Sequence, residues 1–208
     1  MQSRPAELDA FLDSLFAAIE SQTVDNKQVQ SVIDRIMDAL QTYGHRDDSE
    51  ARALPVCSLV GDACSRVQRH VDSVQESPWT DSSLSAHAIA MRAISASLSW
   101  WRRPDADEVG EPFASGHANA MVVGPRGLER RNDVWIGITV IAPHIEYPVH
   151  HHKPEEVYLV LSEGEWQQNN GPWHEPGIGG VVHNPPDILH AMRSGAKPLL
   201  ATWCLWAG

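Results

Sequence analysis

The stretch from residue 147 to 158 concentrates side chains that can do chemistry. It holds three consecutive histidines and a carboxylate at Glu156, and a further histidine, His190, follows in a proline-rich segment. On an extended strand, side chains two residues apart point to the same face, so His150 and His152 are expected on one face. Imidazoles and a carboxylate form a mixed nitrogen and oxygen ligand set that suits a borderline divalent transition metal.

A run of histidines also has simpler explanations. The three residues could form an exposed polar loop, or a chance cluster in a chain with 11 histidines. The spacing to Glu156 and His190 favours the metal interpretation. Glu155 and Glu156 are adjacent, so only one can face the interior, and parity with Tyr158 selects Glu156. Glu155 is then expected to face solvent or to support a metal ligand from behind.

Two motifs in this region resemble those of the cupin superfamily. Residues 150–156 read His-x-His-x3-Glu, with Gly164 a few residues on, and they resemble the first cupin motif. Residues 179–190 read Gly-x5-Pro-x-Asp-x2-His and resemble the second. The resemblance implies a cupin β-barrel that holds one metal ion.

The chain departs from the cupin pattern at three positions. Asp187 and His144 stand where glycines are usual, and Ser194 replaces the trailing asparagine. These are turn or support positions and not metal ligands. The departures therefore bear on the turns more than on the metal site.

The combination of these residues with a helical N-terminal half resembles the cupin-type dimethylsulfoniopropionate lyases. The resemblance implies a metal-dependent β-elimination that cleaves dimethylsulfoniopropionate, a small zwitterion, into dimethyl sulfide and acrylate. It implies metal ligands at His150, His152, Glu156 and His190, a metal-contacting tyrosine base at Tyr158, and a substrate-contacting tyrosine at Tyr147. The lyase motif covers about residues 147–190.

Three of these assignments are left open by the residues themselves. Tyr158 lies within a predicted strand, where a tyrosine usually packs with its hydroxyl satisfied. Beside a cation, a phenol with an ordinary pKa near 10 is stabilised as phenolate, which is a competent general base. His150 is either a ligand or an assistant to the substrate or to Tyr158. Tyr147 has the opposite strand parity to His150, so it reaches the same pocket only if the strand bends near Pro148.

The ligand set accepts several metals, of which Zn, Fe and Mn are foremost, and the sequence does not separate them. Two other functions use the same residues. A cupin dioxygenase would bind Fe(II) and consume O2, and a non-catalytic cupin would bind only a metal or a small molecule.

The N-terminal half must form helices. Apolar residues recur at helical spacing in four segments. The first stripe runs from Leu8 to Ile19 and the second from Val29 to Leu40, with Gly44 in the place of a C-cap. The third runs from about Pro55 through Val74 and stops at Pro78. The fourth begins near Ser82, includes His87, Leu98 and Trp101, and stops at Pro104.

The sequence pattern of the second half predicts a small barrel or jelly roll. Short β-branched or alternating runs are separated by glycine, proline and asparagine. Strands are predicted at 119–123, 134–141, 157–161, 180–183 and 198–206. The fold class is therefore α+β, mainly β: amphipathic helices at 1–104 packed on a cupin-type β-barrel, a double-stranded β-helix or jelly roll, at 105–208. The helices are expected to cover the barrel mouth or to build a homodimer contact.

The composition of the chain indicates its size class, its compartment and which kinds of partner it is expected to lack. The chain has 208 residues, 42% of them hydrophobic, which is enough for one good core or two modest ones. A formal charge of −11 without a basic cluster argues against a nucleic acid. Three cysteines without metal-type spacing are expected as free thiols in a reducing compartment. With no membrane span or leader pattern evident, the expected location is the cytoplasm.

Eight tryptophans are the remaining oddity in the composition. Most should pack in the core, and some could form an aromatic box for a cationic sulfonium. Trp135, Trp203 and Trp206 are candidates because they lie in predicted strands.

Overall fold

A computed structural model of the chain describes residues 4–47, 50–73 and 82–208. Its helices are, in order, α1 (Ala6–Gln22), α2 (Lys27–Leu40), α3 (Leu59–Ser73), α4 (Ser82–Ile94), α5 (Ala106–Val109) and α6 (Phe113–Gly116). Short 3₁₀ turns at Pro55–Ser58 and Ser95–Ser97 precede α3 and follow α4.

The amphipathic stripes predicted for α1 to α4 are buried in these helices. Asn26 caps α2, since its side chain accepts a hydrogen bond from Val29 N at 3.2 Å. The predicted cap at Gly44 is wrong, because α2 already ends at Leu40. Gly44 instead donates its N–H to Glu129 Oε1 at 2.9 Å. The predicted end of α3, with Val74 and Pro78, lies outside the described residues.

The predicted length of α4 is also wrong. The helix ends at Ile94 and a 3₁₀ turn ends at Ser97, so neither Leu98 nor Trp101 is helical. Serine side chains compete for backbone hydrogen bonds and weaken a helix here. Trp100 and Trp101 instead form a short strand, and Trp100 N donates to the backbone carbonyl of Arg52 at 2.7 Å.

The strands are β1 (His45–Arg46), β2 (Trp100–Trp101), β3 (His117–Val123), β4 (Glu129–Arg130), β5 (Val134–Ile141), β6 (Glu146–His150), β7 (Glu155–Val160), β8 (Glu165–Gln168), β9 (Val181–Asn184), β10 (His190–Arg193) and β11 (Leu199–Trp206). All five predicted runs are strands, with ends shifted by up to two residues. Both β6 and β10 carry candidate site residues and were not predicted, because they are short and interrupted by proline or histidine.

Within the described residues, the strands form two sheets. The large sheet has the order β1-β4-β3-β5-β11-β7-β9, with β2 beside β3, and the small sheet has the order β6-β10-β8. Every pairing between long neighbouring strands is antiparallel. The two sheets face each other, which is the arrangement of a cupin-type barrel. The predicted fold class is confirmed.

The large sheet is covered on both faces, which gives the chain two cores. Alternate residues of β5, such as Ile136 and Ile138, pack with the apolar faces of the helices. The opposite set, such as Ile141 of β5 and Trp203 of β11, packs inside the barrel with Trp166 of the small sheet. Helices α1 to α4 therefore cover the back of the large sheet and not the mouth of the barrel, contrary to that expectation. The division at residue 104 stays a prediction.

Cys57, Cys64 and Cys204 are all free, as expected. Burial raises the pKa of the Cys64 thiol to about 12, so it is a packing residue and not a nucleophile. Among the described helices, none has the length and apolar character needed to cross a bilayer.

Candidate metal centre and active site

The candidate residues meet in a cavity inside the barrel. It has about 670 Å³ of space that is continuous with solvent. Its wall includes five of the six predicted site residues, Tyr147, His150, His152, Glu156 and Tyr158. His190 is buried beside them, since its ring centroid lies 4.1 Å from that of His150.

Three of the predicted ligands form a compact group. One ligand atom each of His152, Glu156 and His190 lies within 4.8 Å of the others. Oxygen Oε2 of Glu156 is 3.3 Å from His152 Nε2 and 3.4 Å from His190 Nε2. His150 is not in this group, although its ring adjoins His190. Its role as a ligand stays a prediction.

Backbone carbonyls orient the histidines for metal binding. The Nδ1 atoms of His150, His152 and His190 lie 3.0, 2.9 and 3.0 Å from the carbonyls of Pro148, Pro154 and Ile188. Because a carbonyl only accepts, Nδ1 carries the proton in each neutral imidazole, which leaves the Nε2 lone pair free. The His190 Nε2 atom is buried without a hydrogen-bond partner. An orphaned imidazole nitrogen facing a carboxylate fits a divalent cation.

The charges in the group favour a carboxylate beside neutral or cationic imidazoles. Burial opposes ionisation of Glu156, but the hydrogen bond and charge of His152 outweigh it and lower the pKa of the carboxyl. Burial lowers the pKa of His190. Burial also lowers the pKa of His150 to about 3, and the nearby His190 adds to this effect. For His152, Glu156 overcomes the effect of burial and raises the pKa.

Tyr158 lies two residues beyond Glu156 on β7, and both side chains point into the cavity, as strand parity predicts. Its side chain is buried, packing at 6.3 Å against the ring of Trp166. Burial and the negative charge of Glu156 raise the pKa of the Tyr158 phenol well above its ordinary value. The phenol therefore stays protonated unless a cation offsets that charge.

Tyr147 reaches the same cavity through a bulge in β6. His190 pairs with His150, whereas Met192, two residues on, pairs with Tyr147, three residues back. The extra residue on β6 reverses the parity, so the rings of Tyr147 and His150 lie 4.9 Å apart. The predicted bend near Pro148 is confirmed.

Behind Tyr147 stands a chain of hydrogen bonds that the sequence did not reveal. Trp203 Nε1 donates to Thr139 Oγ1 at 3.1 Å, Thr139 donates to Asn119 Oδ1 at 2.6 Å, and Asn119 Nδ2 lies 3.5 Å from the Tyr147 hydroxyl. Alternate inward positions of three different strands supply these residues. Asn119 and Thr139 lie in predicted strands. Polar residues at inward-facing positions of those strands were the feature of the sequence that could have indicated this hydrogen-bonded chain.

An arginine closes one side of the cavity. The Arg103 guanidinium lies 5.3 Å from the centroid of the Tyr147 ring and 5.2 Å from that of Phe113. Asp105 holds it with two hydrogen bonds, the longer one 2.7 Å. The backbone N–H of Arg103 donates to His117 Nε2 at 2.8 Å. Arg103 was not predicted, because it lies in a loop without a motif.

The three candidate tryptophans do not all reach the cavity. Trp135 and Trp203 line the cavity, as does Trp101, which was not among the candidates. Trp206 lies on the outer side of the barrel, where its ring faces the Arg35 guanidinium at 5.6 Å. The candidacy of Trp206 is therefore wrong.

The unusual residues at the cupin glycine positions adopt the backbone that glycine would. His144 and Asp187 both have φ of 60°, in the left-handed region. Asp187 N donates to His152 O at 2.9 Å, which ties this turn to a candidate ligand. Ser194 replaces the asparagine by accepting from Ile145 N at 3.0 Å and donating to Ala142 O at 2.6 Å.

Comparison with known proteins gives one family. The family model described as dimethylsulfoniopropionate lyase matches residues 28–201. The putative dimethylsulfoniopropionate lyase DddL of Cereibacter sphaeroides is 28% identical over 120 residues, which are 57% of this chain and 50% of that protein. The dimethylsulfoniopropionate lyase DddQ of Ruegeria pomeroyi is 27% identical over 120 residues, 57% of this chain and 59% of that protein. The matches thus span about half the length of these curated relatives.

Solved structures agree on the fold. A chain from the crystal structures of the DMSP lyases RdDddP and RnDddQII superposes with a TM-score of 0.66 at 20% identity, covering 97% of this chain and 92% of that one. The crystal structure of DddQ from Ruegeria pomeroyi gives a TM-score of 0.66 at 19% identity, with coverages of 95% and 91%. Both the helical layer and the barrel are therefore common to these structures.

Proposed function

The chain belongs to the dimethylsulfoniopropionate lyase family, and on that premise we propose that it cleaves dimethylsulfoniopropionate into dimethyl sulfide and acrylate by β-elimination. The observation that carries the proposal is the meeting of the Tyr158 phenol with the His152, Glu156 and His190 group in one cavity. A metal group alone would suit many cupin functions, whereas a buried tyrosine beside it supplies a base.

His152, Glu156 and His190 are the proposed metal ligands, and His150 is either a fourth ligand or an assistant to the substrate or to Tyr158. The cofactor is a divalent transition metal, with Zn, Fe and Mn foremost for this ligand set. When bound, it would act as a Lewis acid toward the substrate carboxylate and would favour the phenolate form of Tyr158.

The reaction needs a base for a weakly acidic proton. Removing a proton from the carbon next to a carboxylate places more negative charge on a group that is already anionic. Tyr158 accepts this proton on its phenolate oxygen, and the C–H electron pair forms the new C=C bond. The C–S bond breaks, and the electron pair of that bond leaves on the sulfur of neutral dimethyl sulfide. The carbon skeleton departs as acrylate. Tyr147 contacts the substrate from the other side of the cavity.

The rest of the cavity suits a zwitterion with a cationic end. Trp101, Trp135 and Trp203 present indole rings to the same space as the metal group. A sulfonium binds favourably to the face of an indole. The faces of Phe113 and Tyr147 already lie beside the Arg103 guanidinium, and the Trp101 ring centroid lies 6.0 Å from the Arg126 guanidinium. Trp135 and Trp203 are therefore the proposed sulfonium site.

The test is headspace gas analysis of the purified chain with dimethylsulfoniopropionate, comparing metal-free protein with protein reloaded with Zn, Fe or Mn. We expect dimethyl sulfide only from reloaded protein, in air and under anaerobic conditions alike. The variant Tyr158→Phe should lose about 100-fold to 10,000-fold in rate, the usual contribution of a general base, while still binding metal. Tyr43→Phe is the matched control, since Tyr43 is exposed and does not line the cavity.

Three results would contradict the proposal in whole or in part. Oxygen consumption without dimethyl sulfide would indicate a dioxygenase, and no turnover by any metal-loaded form would indicate a binding protein. Full activity of Tyr158→Phe would exclude Tyr158 as the base.

A further inference from the structure

Asn184 makes a buried contact with the candidate ligand Glu156. Its side chain is inaccessible to solvent, and its Nδ2 atom donates to Glu156 Oε2 at 2.8 Å. That oxygen is also the one nearest to His152 Nε2 and His190 Nε2. Asn184 therefore donates to the same carboxylate oxygen that the two candidate histidine ligands approach.

Gln168 fixes the orientation of Asn184. Its Nε2 atom lies 2.7 Å from the backbone carbonyl of His183 and 2.6 Å from Asn184 Oδ1. A carbonyl can only accept, so Gln168 must turn its NH2 group toward β9. Asn184 must then meet that group with its oxygen, which leaves its own NH2 group for Glu156. Each amide has one orientation that satisfies all three hydrogen bonds.

The two amides lie at matching places on the two sheets. Gln168 is the cross-strand partner of His190 in the small sheet, and Asn184 is the cross-strand partner of Glu156 in the large sheet. Strands β8 and β9 are the edges of their sheets. The hydrogen bond between the amides thus joins the sheets at the level of one candidate ligand from each.

We propose that Gln168 and Asn184 are positioning residues for the metal centre: Asn184 orients the Glu156 carboxylate, and Gln168 acts through Asn184 by fixing its amide. The inference rests on the metal site of the proposed function. Partners of metal ligands hold the ligand in its binding orientation, and their loss usually weakens metal affinity 10-fold to 100-fold.

The test is the affinity of the full chain for Zn²⁺, measured without substrate by competition with a chromophoric chelator. We expect Asn184→Leu to weaken zinc binding about 10-fold to 100-fold. Gln168→Leu should weaken it less, and the double variant should bind no more weakly than Asn184→Leu alone, because Gln168 has no route to Glu156 without Asn184. Gln167→Leu is the matched control. It is the neighbouring residue on β8, and its amide instead donates to Gly171 O at 2.8 Å.

The inference is overturned if Asn184→Leu binds zinc as tightly as the unmodified chain, or if the effects of the two substitutions add. If Asn184→Leu fails to fold, as judged by thermal unfolding, the test uses Gln168→Leu, whose position is partly exposed. An unchanged zinc affinity of Gln168→Leu would then overturn the inference. A chain that follows the expected zinc pattern but releases no dimethyl sulfide would contradict the proposed function alone.

Discussion

At the scale of single residues, the hydrogen-bonded chain behind Tyr147 has one direction. The Trp203 indole can only donate, so the Thr139 hydroxyl accepts from it and donates its own hydrogen bond to Asn119 Oδ1. Asn119 then turns its NH2 group toward the Tyr147 oxygen. The Tyr147 proton has no acceptor in that direction and is left to point into the cavity, where it can donate to an anionic group.

The pair Thr139→Val and Thr139→Ser tests this direction. Valine removes the hydroxyl at nearly the same volume, so the Asn119 amide is free to turn its oxygen toward Tyr147 and draw the phenol proton out of the cavity. Losing a hydrogen bond to a charged substrate group costs about 1.5–3 kcal/mol, so kcat/KM for dimethyl sulfide release should fall at least 10-fold. Serine keeps the hydroxyl and should stay near the unmodified rate. Equal losses in both variants would show that Thr139 acts only through packing.

At the scale of elements, the cavity depends on how closely β3 and β5 approach behind Trp203. Gly137 of β5 lies against the Trp203 ring and the backbone of β3. A Cβ atom added to Gly137 would lie 2.2 Å from Trp203 Cζ2 and 2.3 Å from Ala120 O. Neither neighbour can move cheaply, since one is backbone and the other fills the barrel core.

Gly137→Ala should therefore destabilise the chain by about 1–3 kcal/mol, the usual cost of overpacking a core. It should also displace Trp203 and lower the rate of dimethyl sulfide release. The measurement is urea unfolding beside the headspace assay. Gly61→Ala in α3 is the control, because its Cβ would meet nothing within 4 Å. Removing a helix-interior glycine should raise stability by about 0.5–1 kcal/mol. A neutral Gly137→Ala would mean that the strands can separate without loss.

At the scale of the whole molecule, His87 joins the helical layer to the barrel. Its Nε2 atom lies 2.9 Å from Thr202 Oγ1 of β11, and its Nδ1 atom lies 3.2 Å from Ser14 Oγ of α1. His87 lies on the stripe predicted for the fourth helix, and its ring is fully buried. Burial lowers the pKa of His87 from its ordinary 6.5 to about 3.

This shift predicts the acid stability of the chain. Between about pH 6.5 and 3 the unfolded chain binds a proton at His87 that the folded chain excludes. Stability from this residue is therefore complete above pH 6.5 and falls as pH drops, by up to roughly 1.4 kcal/mol per pH unit. In urea unfolding, His87→Gln should be less stable at pH 7 but should show a flatter decline toward pH 4. His70→Gln, at an exposed position of α3, should keep the original slope. An unchanged slope in His87→Gln would contradict the assignment.

The sequence by itself determined what depends on short-range periodicity. Apolar residues at helical spacing located α1 to α4, and strand parity placed Glu156 and Tyr158 on the inner face of β7 with Glu155 outside. Parity follows from backbone geometry over two residues, so it needs no knowledge of the rest of the fold. The motif residues 150–156 and His190 also indicated the metal group, since they converge wherever a cupin barrel closes.

Only the tertiary structure decided what depends on which strands meet. The sequence indicated that Tyr147 needs a bend near Pro148, but the bulge that supplies it arises from the pairing of β6 with β10, which are not among the five predicted runs. The amide bridge of Gln168 and Asn184 joins two sheet edges, and the chain behind Tyr147 joins three strands. Such contacts are set by which distant segments of the chain pair and pack together. A local residue pattern indicates which face of a strand is buried, but it does not name the strand's partner.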